Sequence, residues 1–101
     1  MSFEVVITKP AHQDTLEAYN FYELQQAGLG ERFLEALTKR YADLATHPHH
    51  YSFIDEDPQK ILRDVRLEIF PFVIVYEIIE NRVVVYAVHH LFRNPGRKLS
   101  R

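Results

Sequence analysis

Two consecutive runs, FVIVYEI (72–78) and RVVVYAV (82–88), are apolar at both parities, and this restricts the possible folds more than any other feature of the chain. Successive side chains of a strand point to opposite faces. One face of the first run therefore presents Phe72, Ile74, Tyr76 and Ile78, and the other Val73 and Val75. The second run sets Val83, Val85 and Ala87 against Val84, Tyr86 and Val88. A sheet built on these strands has to be covered on both sides. The Glu80-Asn81 corner between them reads as a tight hairpin turn, because asparagine tolerates left-handed backbone. Upstream, Ile61 to Ile69 alternates: Ile61, Arg63, Val65, Leu67 and Ile69 share one face, and Asp64, Arg66 and Glu68 the other. That is a half-buried strand, which Phe70-Pro71 separates from the next.

The first half supplies the cover. Phe3 to Thr8 is a short strand ending at Lys9-Pro10. From Ala11 a helix carries Leu16, Tyr19 and Tyr22, with Asp14 and Glu17 in its acidic first turn, and stops near Ala27 before Gly28. Phe33, Leu37, Tyr41 and Leu44 form one stripe of a second helix that reaches about Thr46, where His47-Pro48 ends it. The short turn between the helices makes them an antiparallel hairpin. The expected fold class is α+β within a single domain, 1–101: an N-terminal strand, an antiparallel helical hairpin, then a three-stranded antiparallel meander. Two helices cover one sheet face. Unless the long His47–Lys60 connection folds over the other, that face is expected to meet a protein partner.

A hydrophobic fraction of 47% suffices for a core, and with no cysteine the chain has neither disulfides nor thiolate metal sites. The longest apolar run, Ile69 to Tyr76, is far short of the roughly 20 residues that span a bilayer. Met1 to Pro10 shows no signal-peptide pattern, so a cytoplasmic location and no membrane partner are expected. Residues 1–60 hold five Lys/Arg against ten Asp/Glu, whereas residues 61–101 hold seven against four. Within the positive half Arg93, Arg97, Lys98 and Arg101 have no acidic neighbour, so an acidic partner would meet this end first.

Specific residues converge with the layout: Ala11 and Asp14, Tyr19-x-x-Tyr22, Gly28-Leu29-Gly30-x-x-Phe33, and Arg66 ahead of Phe70-Pro71-Phe72-Val73-Ile74-Val75-Tyr76. Val83 to His90 and Arg93-x-Pro95 follow. In order and spacing these resemble the RelE/ParE toxin superfamily over essentially the whole chain, most closely its ParE branch. The resemblance implies the toxin of a type II toxin-antitoxin (plasmid stabilisation-like) module, held inactive in a complex with its cognate antitoxin and requiring no cofactor. ParE-type members are described as gyrase poisons and RelE-type members as ribosome-dependent messenger RNA endoribonucleases, so the site has to decide.

RNA cleavage needs a base for the 2′-hydroxyl, cations for the phosphorane charge and an acid for the leaving oxygen. Arg66 and Arg93 fall at basic positions of the RelE pattern, but Asp64 stands where a lysine is expected and Val73 where an arginine is. His89 or His90 beside Arg93 is the remaining catalytic candidate, and alternation allows only one of the two histidines to face a site. His47, His49 and His50 with Asp55, Glu56 and Asp57 read as a solvated loop rather than a metal site. The preferred reading is therefore a DNA gyrase inhibitor whose partner-binding residues are Arg93, Arg97, Lys98, Arg101, Tyr76 and Tyr86. The alternatives are a ribosome-directed endoribonuclease and a toxin fold that has lost toxicity. Arg66 is expected in a local charge pair with Asp64 or Glu68.

Overall fold

The computed structural model describes residues 2–92. Its elements are β1 (Glu4–Ile7), α1 (Lys9–Gln25), α2 (Leu29–Thr46), a 3-10 turn (Pro48–His50), β2 (Leu62–Arg66), β3 (Phe72–Ile79) and β4 (Arg82–His90). The sheet order is β1-β4-β3-β2. The meander β2-β3-β4 is antiparallel as expected, whereas β1 lies parallel to β4, which makes the sheet mixed. The expected α+β class holds, and the sequence reading left the place of β1 open.

Helix α1 begins two residues before Ala11, because a proline in the first turn of a helix lacks only an N–H that would have no partner there. Thr8 is the N-cap. Its hydroxyl donates to the Val85 carbonyl at 2.7 Å and so ties the helix start to β4. Asp14 consequently lies beyond the first turn, and its carboxylate has a different task from the one expected. β1 ends at Ile7, opposite Val85, so Val88 has no strand neighbour on that side. The Asp14 carboxylate accepts the Val88 N–H at 3.0 Å in its place.

The turn between the helices is built on two glycines. Gly28 adopts φ +90°, a left-handed conformation that favours glycine. The Glu23 carboxylate accepts the N–H groups of Gly28 (3.0 Å) and Gly30 (2.8 Å), serving the open start of α2. A Cβ on Gly30 would lie 2.8 Å from the Tyr19 ring and 2.9 Å from the Tyr19 carbonyl oxygen. The carbonyl belongs to the α1 backbone and cannot rotate away. Gly30→Ala should therefore push the helices apart and destabilise the chain by about 1–3 kcal/mol, as overpacking does. Chemical denaturation checks this; an unchanged midpoint would show that the hairpin yields freely.

The main core lies between the helices and one sheet face. Phe33, Leu37 and Leu44 from α2 and Ala11 and Ala18 from α1 pack with Val65, Phe72, Ile74, Tyr76, Val83, Val85 and Val88. At its end Phe33 makes ring contacts with Tyr22, Phe70 and Phe72 at 5.6, 5.5 and 5.0 Å.

The second face is covered by the chain itself. Ile54, from the segment between the 3-10 turn and β2, packs on Val75, Ala87 and Leu62. Its N–H donates to the Leu62 carbonyl (2.9 Å), and Phe53 bridges to Arg63 at the edge of the sheet. Asp57 fixes the return into β2: its carboxylate accepts the N–H groups of Gln59 (3.1 Å), Ile61 (2.9 Å) and Leu62 (2.7 Å). Those donors hold the Asp57 carboxyl below its ordinary range, those of Leu62 and Ile61 acting most strongly. Val75 and Ala87 are thus buried beneath Ile54 without a partner protein, contrary to the expected open face, and Val73 is buried as well. The long connection has the structure that its polar composition hid.

Strand β2 stops at Arg66, short of the expected Ile69. Ile69 takes φ +74°, where a β-branched side chain is strained, and is 88% exposed. Leu67 alone continues the buried alternation.

Candidate functional site

Pairing aligns the family-pattern residues across the face opposite the helices. Arg66 is registered with Val73, and Val73 with His89. One rung along, Asp64 is registered with Val75 and Val75 with Ala87. With strands about 4.8 Å apart, the backbones of Arg66 and His89 lie roughly 10 Å from each other. Sequence positions 64, 66, 73 and 89 therefore share one surface, and position 90 does not. His90 turns to the helix side, its ring 5.2 Å from Phe72 and 5.8 Å from Phe92, and its Nδ1 accepts the Phe92 N–H at 3.0 Å.

Among the described residues, this surface does not bring together the parts of a phosphoryl-transfer site. His89 is 3% exposed, so a substrate hydroxyl cannot come within hydrogen-bond reach of its ring without rearrangement. Asp64 adds negative charge beside Arg66 where a phosphate would need cations, and Val73 between Arg66 and His89 adds none. Arg66 itself is exposed and, among the described residues, makes no ion pair. The charge pair expected for it is not formed: Glu68 pairs with Lys39 at 3.0 Å instead.

Of the residues assigned to partner binding, Tyr76 is in the core, on the helix side, with its hydroxyl donating to the Pro48 carbonyl at 2.6 Å. It is a structural residue, and the reason lies in its parity: it shares a face with Phe72 and Ile74. Tyr86 is half-buried on the opposite face. The register passes from Val75–Ala87 to Tyr76–Val85, so Tyr86 is the extra residue of a β-bulge, and its hydroxyl donates to Glu77 Oε1 at 2.6 Å. Arg93, Arg97, Lys98 and Arg101 lie outside the described residues. Glu77 was missed, although as the single charge in FVIVYEI it was the signal available. Arg63, which alternation sets on the apolar face, places its guanidinium 4.0 Å from the centre of the Phe53 ring and donates to the Tyr51 carbonyl at 2.6 Å. Among the described residues no three His, Asp or Glu side chains converge on a metal-sized site.

The bond to Glu77, aided by partial burial and the carboxylate charge, pushes the Tyr86 phenol up to about 12, and burial raises the Tyr41 and Tyr76 phenols as well. A phenol raised in the folded chain stabilises it fully below the ordinary value of about 10 and loses that contribution as pH climbs toward the folded value. The protein should therefore lose stability between about pH 10 and 12, and Tyr86→Phe should flatten part of that decline. Urea midpoints across this range measure it; a wild-type midpoint that does not move would contradict the assignment.

A helical hairpin on one face of a mixed four-stranded sheet, with the family-pattern positions gathered on the other face, defines a RelE/ParE-type toxin fold. Residues 5–95 match the family described as ParE toxin of type II toxin-antitoxin system, parDE, and the chain belongs to that family. Among solved structures, the chromosomal ParDE toxin-antitoxin system from P. aeruginosa is similar with a TM-score of 0.75 at 14% identity, covering 88% of this chain and 96% of that one. The toxin-antitoxin complex RelBE2 from Mycobacterium tuberculosis is similar with a TM-score of 0.65 at 19% identity, covering 89% and 99%. No curated protein matches in sequence.

Proposed function

We propose that this toxin acts by binding a protein target, DNA gyrase, in the cytoplasm, and that a cognate antitoxin neutralises it by forming a complex with it. The observation that carries the reading is the sheet face carrying the RelE-pattern positions: His89 is closed off, and Asp64 and Val73 stand where RNA cleavage calls for cations. Removing one preorganised charge-stabilising group typically lowers a rate by about 10²–10³, so two such losses leave little catalysis. A net charge of −2 also opposes docking against ribosomal RNA. Membership of the ParE family supports the gyrase target, and the similarity to two toxin-antitoxin assemblies supports the antitoxin partner. The basic residues Arg93, Arg97, Lys98 and Arg101 would meet an acidic patch on the target and speed association.

The test is induction in bacterial cells without antitoxin, for the full chain and for a chain truncated after Pro95. Cleaved DNA–gyrase complexes should accumulate with messenger RNA intact, and truncation should abolish them. Transcripts cut in phase with the ribosomal A site would overturn the proposal.

A further inference from the structure

On the face opposite the helices, the turn following Asp57 and the β3–β4 ladder border an open-sided cavity of about 490 Å³, within the range of about 300–1,000 Å³ usual for ligand pockets. Pro58, Ile61 and Leu62 give it apolar walls, Tyr86 an aromatic one, and Asp57 and Glu77 bring carboxylates. The two acids are not equivalent. Both oxygens of Asp57 are taken up by backbone N–H groups. Among the described residues, Glu77 receives a single donor, the Tyr86 hydroxyl on Oε1. The ion pairs among the described residues are Lys39–Glu68, Arg40–Asp43 and Arg82–Glu4, so the Glu77 charge is not neutralised by any of them.

Glu77 also borders a smaller cavity of about 270 Å³ that holds Lys60 and Arg63, yet neither cation comes within ion-pair distance of it. Arg63 is committed instead to the Tyr51 carbonyl and the Phe53 ring. A carboxylate set beside apolar walls, with no cation of the described residues within ion-pair distance, favours a ligand that brings a cation on an apolar stem. The stem of lysine or arginine lies along apolar surface while its head seeks an anion.

We propose that this cavity binds an alkyl cation, the side chain of a lysine or arginine presented by a partner polypeptide, and that Glu77 selects it. Only the source of the cation rests on the reading that the chain works with a protein partner; the chemistry of the pocket does not.

The experiment is an amide NMR titration of the isotope-labelled chain with N-acetyl-lysine N-methylamide, set against the norleucine analogue, which has a similar stem and no charge. The lysine probe should shift the Leu62, Glu77 and Tyr86 amides saturably and bind at least about fivefold more tightly than the neutral probe, as a partly shielded ion pair requires. Glu77→Gln keeps the acceptor for Tyr86 and should remove that preference. Equal binding of the two probes to the wild-type chain, a comparison that needs no variant, would overturn the proposal, as would an undiminished preference in folded Glu77→Gln. Repeating the titration on the complex with antitoxin separates the sources: a probe excluded there identifies the antitoxin as donor of the cation, and a probe that still binds identifies another cation carrier. A gyrase result that fails leaves this titration unaffected.

Discussion

Phe33→Ala should lower the free energy of unfolding by about 3–5 kcal/mol, the range for truncating a fully buried phenylalanine. Phe33 is fully buried and touches three other rings, two of which flank the β2–β3 connection. Removing its ring leaves a void between α2, α1 and the sheet that rigid neighbours cannot close, so the lost contacts add to the lost burial. A domain of this size is stable by only about 5–15 kcal/mol, so the loss is a large fraction of the total. Urea denaturation followed by circular dichroism would measure it. A loss under about 1 kcal/mol would show that the aromatic cluster repacks and that Phe33 does not hold the hairpin to the sheet.

The second large effect is expected at Ile54, which is 3% exposed and is the buried apolar side chain that its loop contributes to the second sheet face. Ile54→Ala should cost about 2–5 kcal/mol. It should also leave a signature that Phe33→Ala lacks. With Ile54 gone, Asp57 still ties the turn to the start of β2, but little holds the segment before it against Val75 and Ala87. Hydrogen exchange should therefore accelerate at the Ile54 amide well before global unfolding, and an environment-sensitive apolar dye should bind the uncovered strands. Exchange at Ile54 that tracks global unfolding would mean that the loop and the sheet melt as one unit.

The fate of this loop marks where sequence reasoning reached its end. Strand and helix order could be read because each element carries its own periodicity: the alternation from Ile61, the two-sided runs around Glu80-Asn81 and the stripe Phe33, Leu37, Tyr41, Leu44. The segment 47–60 has no period. Its order comes from one isoleucine and one aspartate whose partners, Val75, Ala87 and Leu62, are supplied by the sheet, so a polar stretch that reads as solvent-exposed carries a piece of the core. Tyr76 shows the converse. Its parity placed it beside Phe72 and Ile74, and the buried hydroxyl acceptor, the Pro48 carbonyl, belongs to a turn with no signal of its own. At the site, alternation correctly parted His89 from His90. The shared surface of Asp64, Arg66, Val73 and His89 follows from registers that only the bulge and the ladder determine. Glu77 stood out as a lone charge and alternation already sets Tyr86 on its face; what the sequence could not show is the bulge at Tyr86, which puts Ala87 on the face of Val75 and Val88 in the main core, opposite to the faces that unbroken alternation gives them.

The parallel pairing of β1 with β4 has a consequence for the order of assembly. Thr8 and Val85, joined by a hydrogen bond, stand 77 residues apart in the chain. The helical hairpin closes through neighbours a few residues distant and can form early, while β1 waits for the last strand of the sheet to be made. Closing so long a loop is entropically slow and comes late. During synthesis the chain therefore leaves the ribosome with its first strand unpaired and its sheet open, and a surface built on β3 and β4 exists only once translation has passed His90. An antitoxin that recognises the finished sheet has nothing to bind before that moment, and a toxin that needs it has no activity to restrain.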